Sequence, residues 1–186
     1  GGHPGIGGQR VGHDLNPGFV AGLARRGDQE GSVEAGAEAF GQEVLGALPA
    51  DLAGWTLLLR GELGAGKSTF ARAFIREAGH EGPVPRPTYT LVEPYSLSRG
   101  NIYHVDLYRV SDEEELRYLG WNELDNGCRI VEWPDRAPGI TEQADLSLTL
   151  SYDGDGRSAD LVGLSDRGKA LVATLTQTVP VTLDSI

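Results

Sequence analysis

Methionine is absent from the 186 residues, cysteine occurs once, and aromatic residues make up 7%. A lone thiol, Cys128, excludes an internal disulfide and fits a reducing cytoplasm. Its expected place is as a small apolar side chain in the core. No apolar run approaches the ~20 residues of a membrane-spanning helix. The opening residues lack the basic-then-apolar order of a secretory signal, and with no methionine the start is expected to be a processed end or a fragment boundary. Basic residues are also scarce: 16 Lys and Arg against 27 Asp and Glu give a formal net charge of −11. The first thirty residues hold as many basic as acidic side chains, so the acid excess lies wholly downstream. Such a body is a poor direct ligand for nucleic acid, whose phosphates need clustered Lys and Arg. A role in RNA metabolism would need another protein to hold the RNA.

Glycine, by contrast, is plentiful, and three glycines build the stretch that organises the chain. Gly61-Glu62-Leu63-Gly64-Ala65-Gly66-Lys67-Ser68 matches the phosphate-loop pattern G-x-x-x-x-G-K-[ST] in full. The apolar segment Trp55–Arg60 reads as the strand before it. Phe70, Ala71, Phe74, Ile75 and Ala78 recur at helical spacing after it, and Gly79 is the stop. Gly61, Gly64 and Gly66 let backbone N–H groups converge on phosphate oxygens. The following helix adds its positive end, with Thr69 in the first turn. Lys67 would reach the outer phosphates and the Ser68 hydroxyl would ligate Mg²⁺. A nucleoside triphosphate with Mg²⁺ is therefore the expected ligand pair.

The length fits one domain. Residues 1–31, rich in glycine, read as a disordered extension whose His3 and His13 are too sparse for a metal site. Residues 32–175 read as the nucleotide-binding domain and 176–186 as a tail. Ser32 is the expected N-cap of a helix over 33–48, ended by Pro49. Pro83, Pro85 and Pro87 break any helix. Residues 88–97, edge-like because of Pro94, and 102–108 read as a hairpin. Ser111 and Glu114 read as the capping box of a helix over 112–119. Residues 128–133 read as a buried strand, 145–152 and 158–164 as a second hairpin, and 167–175 as a last helix or strand.

Turnover needs more than a phosphate loop. Glu132 ends an apolar strand, the usual place of the acidic residue that holds Mg²⁺. Asp106, in His104-Val105-Asp106-Leu107-Tyr108-Arg109, is the candidate to ligate the metal or orient the attacking water, with a strand-end ion pair to Arg109 as the bland alternative. Thr88, following the prolines, could touch the terminal phosphate or its metal; Thr90 reads as ordinary strand sequence. His104 as a general base has little chemical support, since phosphoryl transfer depends on positioning. Trp55 and Trp121 read as core, while Trp133 is open between core and partner contact.

Four blocks in order, Gly61–Ser68, Pro87–Tyr95, Tyr103–Arg109 and Val131–Pro134, resemble the bacterial TsaE proteins over about residues 32–175. The resemblance implies an α/β fold, a three-layer α/β/α P-loop sandwich with a mixed parallel and antiparallel sheet. It implies a cytoplasmic ATPase of the pathway that makes N6-threonylcarbamoyladenosine at position 37 of tRNA. Its partners would be TsaD and TsaB, with tRNA met only through their complex, and hydrolysis of ATP to ADP and phosphate would reset that complex. Lys67 matches the phosphate lysine, Ser68 the Mg²⁺ hydroxyl, Asp106 the acid of HxDxYR, and Glu132 with Trp133 the EW pair. Arg86 stands where the family usually has serine. An arginine finger is not assigned; Arg109 in cis or a partner are the options. The alternative function is a small-molecule kinase, against which the lack of an Arg-rich lid counts. A binding module without turnover is the third reading.

Overall fold

In the computed structural model the residues described are 19–23, 32–154 and 156–178. Seven strands form one sheet in the order β1-β7-β6-β2-β5-β4-β3. They are β1 (Phe19–Leu23), β2 (Thr56–Arg60), β3 (Val92–Leu97), β4 (Gly100–Asp106), β5 (Gly127–Glu132), β6 (Leu146–Asp153) and β7 (Gly156–Gly163). The middle of the sheet, β6-β2-β5-β4, is parallel; β7 and β3 run antiparallel to their neighbours, and β1 pairs antiparallel with β7. The mixed sheet is the expected one.

Helices α1 (Ser32–Ala47), α2 (Lys67–Glu77) and α4 (Asp166–Thr178) cover one face. Their apolar side chains, among them Phe40, Val44, Phe70, Phe74 and Val172, meet Leu57, Leu59 and Ile130 of the sheet. The opposite face packs Leu58, Val105 and Val131 against Trp121, Leu124 and Ile140. Its cover is thin: the single turn α3 (Glu115–Tyr118) and three 3₁₀ segments. Leu57, Leu58 and Leu59 alternate between the two cores because successive side chains of a strand point to opposite faces. That is why a continuous apolar run, and not an alternating one, marks this strand. Cys128 is buried and free, with its thiol pushed up to about 12 chiefly by burial, so it is inert as expected.

Several sequence expectations shift. Phe19–Leu23 forms β1 inside the stretch read as an unstructured extension; the strand pairs by backbone with Arg157–Leu161. His3, His13 and the rest of 1–31 lie outside the described residues, as does 179–186. The first hairpin strand starts at Val92; Thr88–Thr90 form a turn closed by Leu91 N–H to the Pro87 carbonyl, 2.9 Å. Pro94 lies on an edge strand, where its missing donor is tolerated. The expected capping box at Ser111 is replaced: the Glu115 carboxylate accepts from the N–H groups of Ser111 and Asp112, and Asp112 Oδ1 accepts from Glu114 N–H. The last element is a helix, α4, which continues past the expected domain end at 175.

Candidate active site

The site lies at the carboxyl ends of β2, β5 and β4, where the crevice of an open parallel sheet takes ligands. Residues 61–66 turn from β2 into α2 with Gly61, Gly64 and Gly66 at φ of 139°, 78° and 112°. At Gly61 a Cβ would meet the Leu150 carbonyl oxygen at 2.4 Å, so β6 leaves no room for a side chain. The loop is braced from the second hairpin: Tyr152 donates its hydroxyl to the Leu63 carbonyl at 3.1 Å.

Lys67, 4% exposed, donates to the carbonyls of Gly61 (2.6 Å) and Glu62 (2.9 Å) and lies 4.0 Å from the Trp133 ring centre. Burial lowers its pKa; the Glu132 and Asp106 carboxylates oppose that, and Arg86 reinforces it. The ammonium thus rests on the loop's own carbonyls in a partly desolvated setting. A polyanion in the loop would compensate that cost.

Register brings the acids together. β5 and β4 align Glu132 with Asp106 and Ile130 with His104. Side chains two apart on a strand share a face, so Asp106, Glu132 and His104 all point toward α2. The Ser68 hydroxyl donates to Glu132 Oε2 at 3.0 Å across 64 residues of sequence. His104 Nε2 stands 2.7 Å from Glu132 Oε1. A carboxylate only accepts, so Nε2 carries the hydrogen, and Nδ1 is left without a partner. Asp106, 3% exposed, has its pKa raised by burial and by Glu132, against the Tyr108 N–H it accepts at 3.0 Å.

A cleft of about 230 Å³ opens on the loop, lined by Gly64, Gly66, Lys67, Ser68, Thr69, Arg72, Arg86 and Glu132. Three cations face one carboxylate in a protein of net charge −11, so the cleft suits a small polyanion. The serine hydroxyl beside a carboxylate supplies the hard oxygen donors that Mg²⁺ takes, and the residues present fit that ion. Among the described residues no group of three or more His, Cys, Asp or Glu forms a metal cage.

Of the residues singled out in sequence, Gly64, Gly66, Lys67, Ser68, Thr69 and Glu132 line the cleft. Gly61 and Glu62 hold the lysine, Leu63 is 65% exposed, and Ala65 is buried beneath the loop. Asp106 stands behind Glu132, one strand over, and Thr88 is half-buried outside the cleft lining. Thr90 donates to Glu93. Arg109 stacks on Tyr89 with its guanidinium carbon 4.6 Å from the ring centre, so neither the Asp106 ion pair nor a cis arginine is found there. Arg72 and Tyr152 were not foreseen. Arg72 follows Ser68 by one helical turn, a legible signal; Tyr152 gave none, because only folding brings the second hairpin to the loop.

A family model described as "Threonylcarbamoyl adenosine biosynthesis protein TsaE" matches residues 32–159. This chain belongs to the TsaE family. The tRNA threonylcarbamoyladenosine biosynthesis protein TsaE of Haemophilus influenzae is 40% identical over 117 residues, 62% of this chain and 74% of that protein. The protein of the same name from a Nostoc species is 32% identical over 128 residues, 66% of this chain and 78% of its own. The crystal structure of Bacillus subtilis YdiB superposes with a TM-score of 0.65 over 86% of this chain and 95% of that one, at 23% identity. That last likeness speaks for the fold.

Proposed function

We propose that this TsaE-family chain is a Mg²⁺-dependent ATPase that acts in tRNA threonylcarbamoyladenosine biosynthesis. The observation that carries the reading is the Ser68–Glu132 contact of 3.0 Å at the mouth of the glycine loop. The names of the relatives supply the pathway. Gly61–Thr69 bind the phosphates through backbone N–H groups and the start of α2. Lys67 leaves the loop carbonyls for the outer phosphates. Ser68 and Glu132 would hold Mg²⁺, which when bound neutralises charge developing on the phosphates. Asp106, next to Glu132, orients the attacking water, whose protons leave with the released phosphate. ATP then becomes ADP and phosphate.

The acidic body argues that the chain meets tRNA through partners, here homologues of TsaB and TsaD, and that hydrolysis resets their complex. That work belongs in the cytoplasm. The described residues contain no helix long and apolar enough to cross a membrane. The test is phosphate release from ATP by the purified protein, with and without TsaB–TsaD and tRNA. Release to water, stimulated by the complex and lost in Lys67→Ala and Glu132→Ala, is expected. A phosphorylated small molecule as product would replace this reading by the kinase one.

A further inference from the structure

We infer that Arg86 is this chain's own terminal-phosphate contact, an arginine built into the site in cis that makes the cleft prefer a nucleoside triphosphate to a diphosphate. The inference rests on the proposed nucleotide site and deepens it.

Arg86 lines the cleft together with Lys67 and Arg72. Its Nη2 lies 4.0 Å from Glu132 Oε2, the same oxygen that accepts the Ser68 hydroxyl. A separation of 4.0 Å is a loose pair, and the Arg86 side chain keeps 47% of its surface. Its donors are therefore available to a further anion. A metal held by Ser68 and Glu132 would neutralise charge on the outer phosphates. A guanidinium 4.0 Å from that carboxylate, in the lining of the same cleft, would therefore stand on the side where the outer phosphates gather.

The backbone favours the same role. Arg86 is flanked by Pro85 and Pro87 in the segment that joins α2 to β3. Val84 and Pro87 are buried on either side of it, while Arg86 itself is exposed. Fixed φ angles at the prolines and two buried anchors hold the arginine over the cleft at low entropic cost. A guanidinium also offers a planar fork of donors that a lysine lacks, suited to two phosphate oxygens at once. Arg109, one of the two options the sequence left open for this task, stacks on Tyr89.

The test compares binding of a non-hydrolysable ATP analogue and of ADP, each with Mg²⁺, by titration calorimetry on the full chain. Wild type, Arg86→Ala, Arg86→Lys and Arg72→Ala are measured side by side, with hydrolysis rates for each. Wild type is expected to bind the ATP analogue more tightly than ADP. In Arg86→Ala the analogue should weaken by about tenfold or more while ADP changes by less than about threefold, and kcat should fall with it. Arg86→Lys should restore affinity only in part, because charge returns without the fork. Equal losses for both nucleotides, or an unchanged preference in Arg86→Ala, would overturn the inference while leaving the nucleotide site standing. A wild type that binds neither nucleotide would overturn both.

Discussion

His104 and Glu132 meet at the carboxyl ends of β4 and β5, Nε2 to Oε1 at 2.7 Å, with side chains 1% and 0% exposed. They lie on neighbouring parallel strands, two residues out of register, and share a face because the period of a strand is two. The imidazole thus takes one carboxylate oxygen and Ser68 the other. The carboxylate plane is fixed before any ligand arrives. In sequence His104 was weighed as a general base; the geometry makes it the residue that orients the acid.

His104→Ala should therefore act through metal use. The Mg²⁺ concentration for half-maximal ATP hydrolysis is expected to rise by about 10- to 100-fold, the usual cost of losing an outer partner of a metal ligand. His104→Gln, which keeps a donor, should recover part of it. A Mg²⁺ titration that superposes on wild type would remove the orienting role.

Asp106→Asn should stop hydrolysis yet stabilise the protein free of nucleotide. Burial and the Glu132 charge raise the Asp106 pKa, so its ionised form is a cost of folding. The folded state holds that proton more tightly than the unfolded one. Stability from this group is full below the ordinary carboxylate pKa and is lost as pH rises through the raised folded value. Asparagine keeps the Oδ1 that accepts from Tyr108 N–H. Melting curves should show the variant at or above wild type at neutral pH, with the gap closing in acid. A variant that melts lower at neutral pH would contradict this account.

Asp145 carries the opposite sign. It is 3% exposed and accepts from Thr56 N–H (3.0 Å), Ser165 Oγ (2.6 Å), and Arg167 Nε (2.7 Å) and Nη2 (2.8 Å). Burial alone would raise its pKa, but these donors together hold it below the ordinary value. The contribution is present above the unfolded carboxylate pKa and lost as pH falls through the depressed folded one. Asp145→Ala leaves the buried Thr56 N–H and the half-exposed Arg167 guanidinium without their acceptor and should cost about 1–3 kcal/mol, lowering Tm by roughly 2–12 °C. Chemical denaturation at neutral pH measures it; a loss below about 1 kcal/mol would show that this ion-pair hub is not what ties α4 to β2.

Gly61→Ala places a methyl against the Leu150 carbonyl oxygen and forces a left-handed φ on alanine. Nucleotide-dependent thermal stabilisation should disappear. At about 100 times Kd that stabilisation is about 2.7 kcal/mol in wild type. Gly46→Ala, in α1 with open space around its Cβ position, is the control and should keep it. If both variants retained the full ligand shift, the close approach of loop and β6 would not matter to binding.

Sequence alone determined the loop from Gly61 to Ser68, the strand and helix around it, and the acid at the end of β5. Each is written in local terms: glycines where φ is positive, apolar residues at one spacing or another, a charge ending a buried run. Glu132 could be named because an ionised side chain after Ile130 and Val131 needs a cation or a donor nearby. What only the tertiary structure decided is pairing. Register put His104, and not Arg109, beside an acid; the proline segment put Arg86 over the cleft; the second hairpin brought Tyr152 to Leu63; and Phe19–Leu23 found the free edge of β7. These contacts join residues far apart in the chain. No local pattern encodes which strand lies next to which, because the backbone hydrogen bonds that align them are the same for every residue.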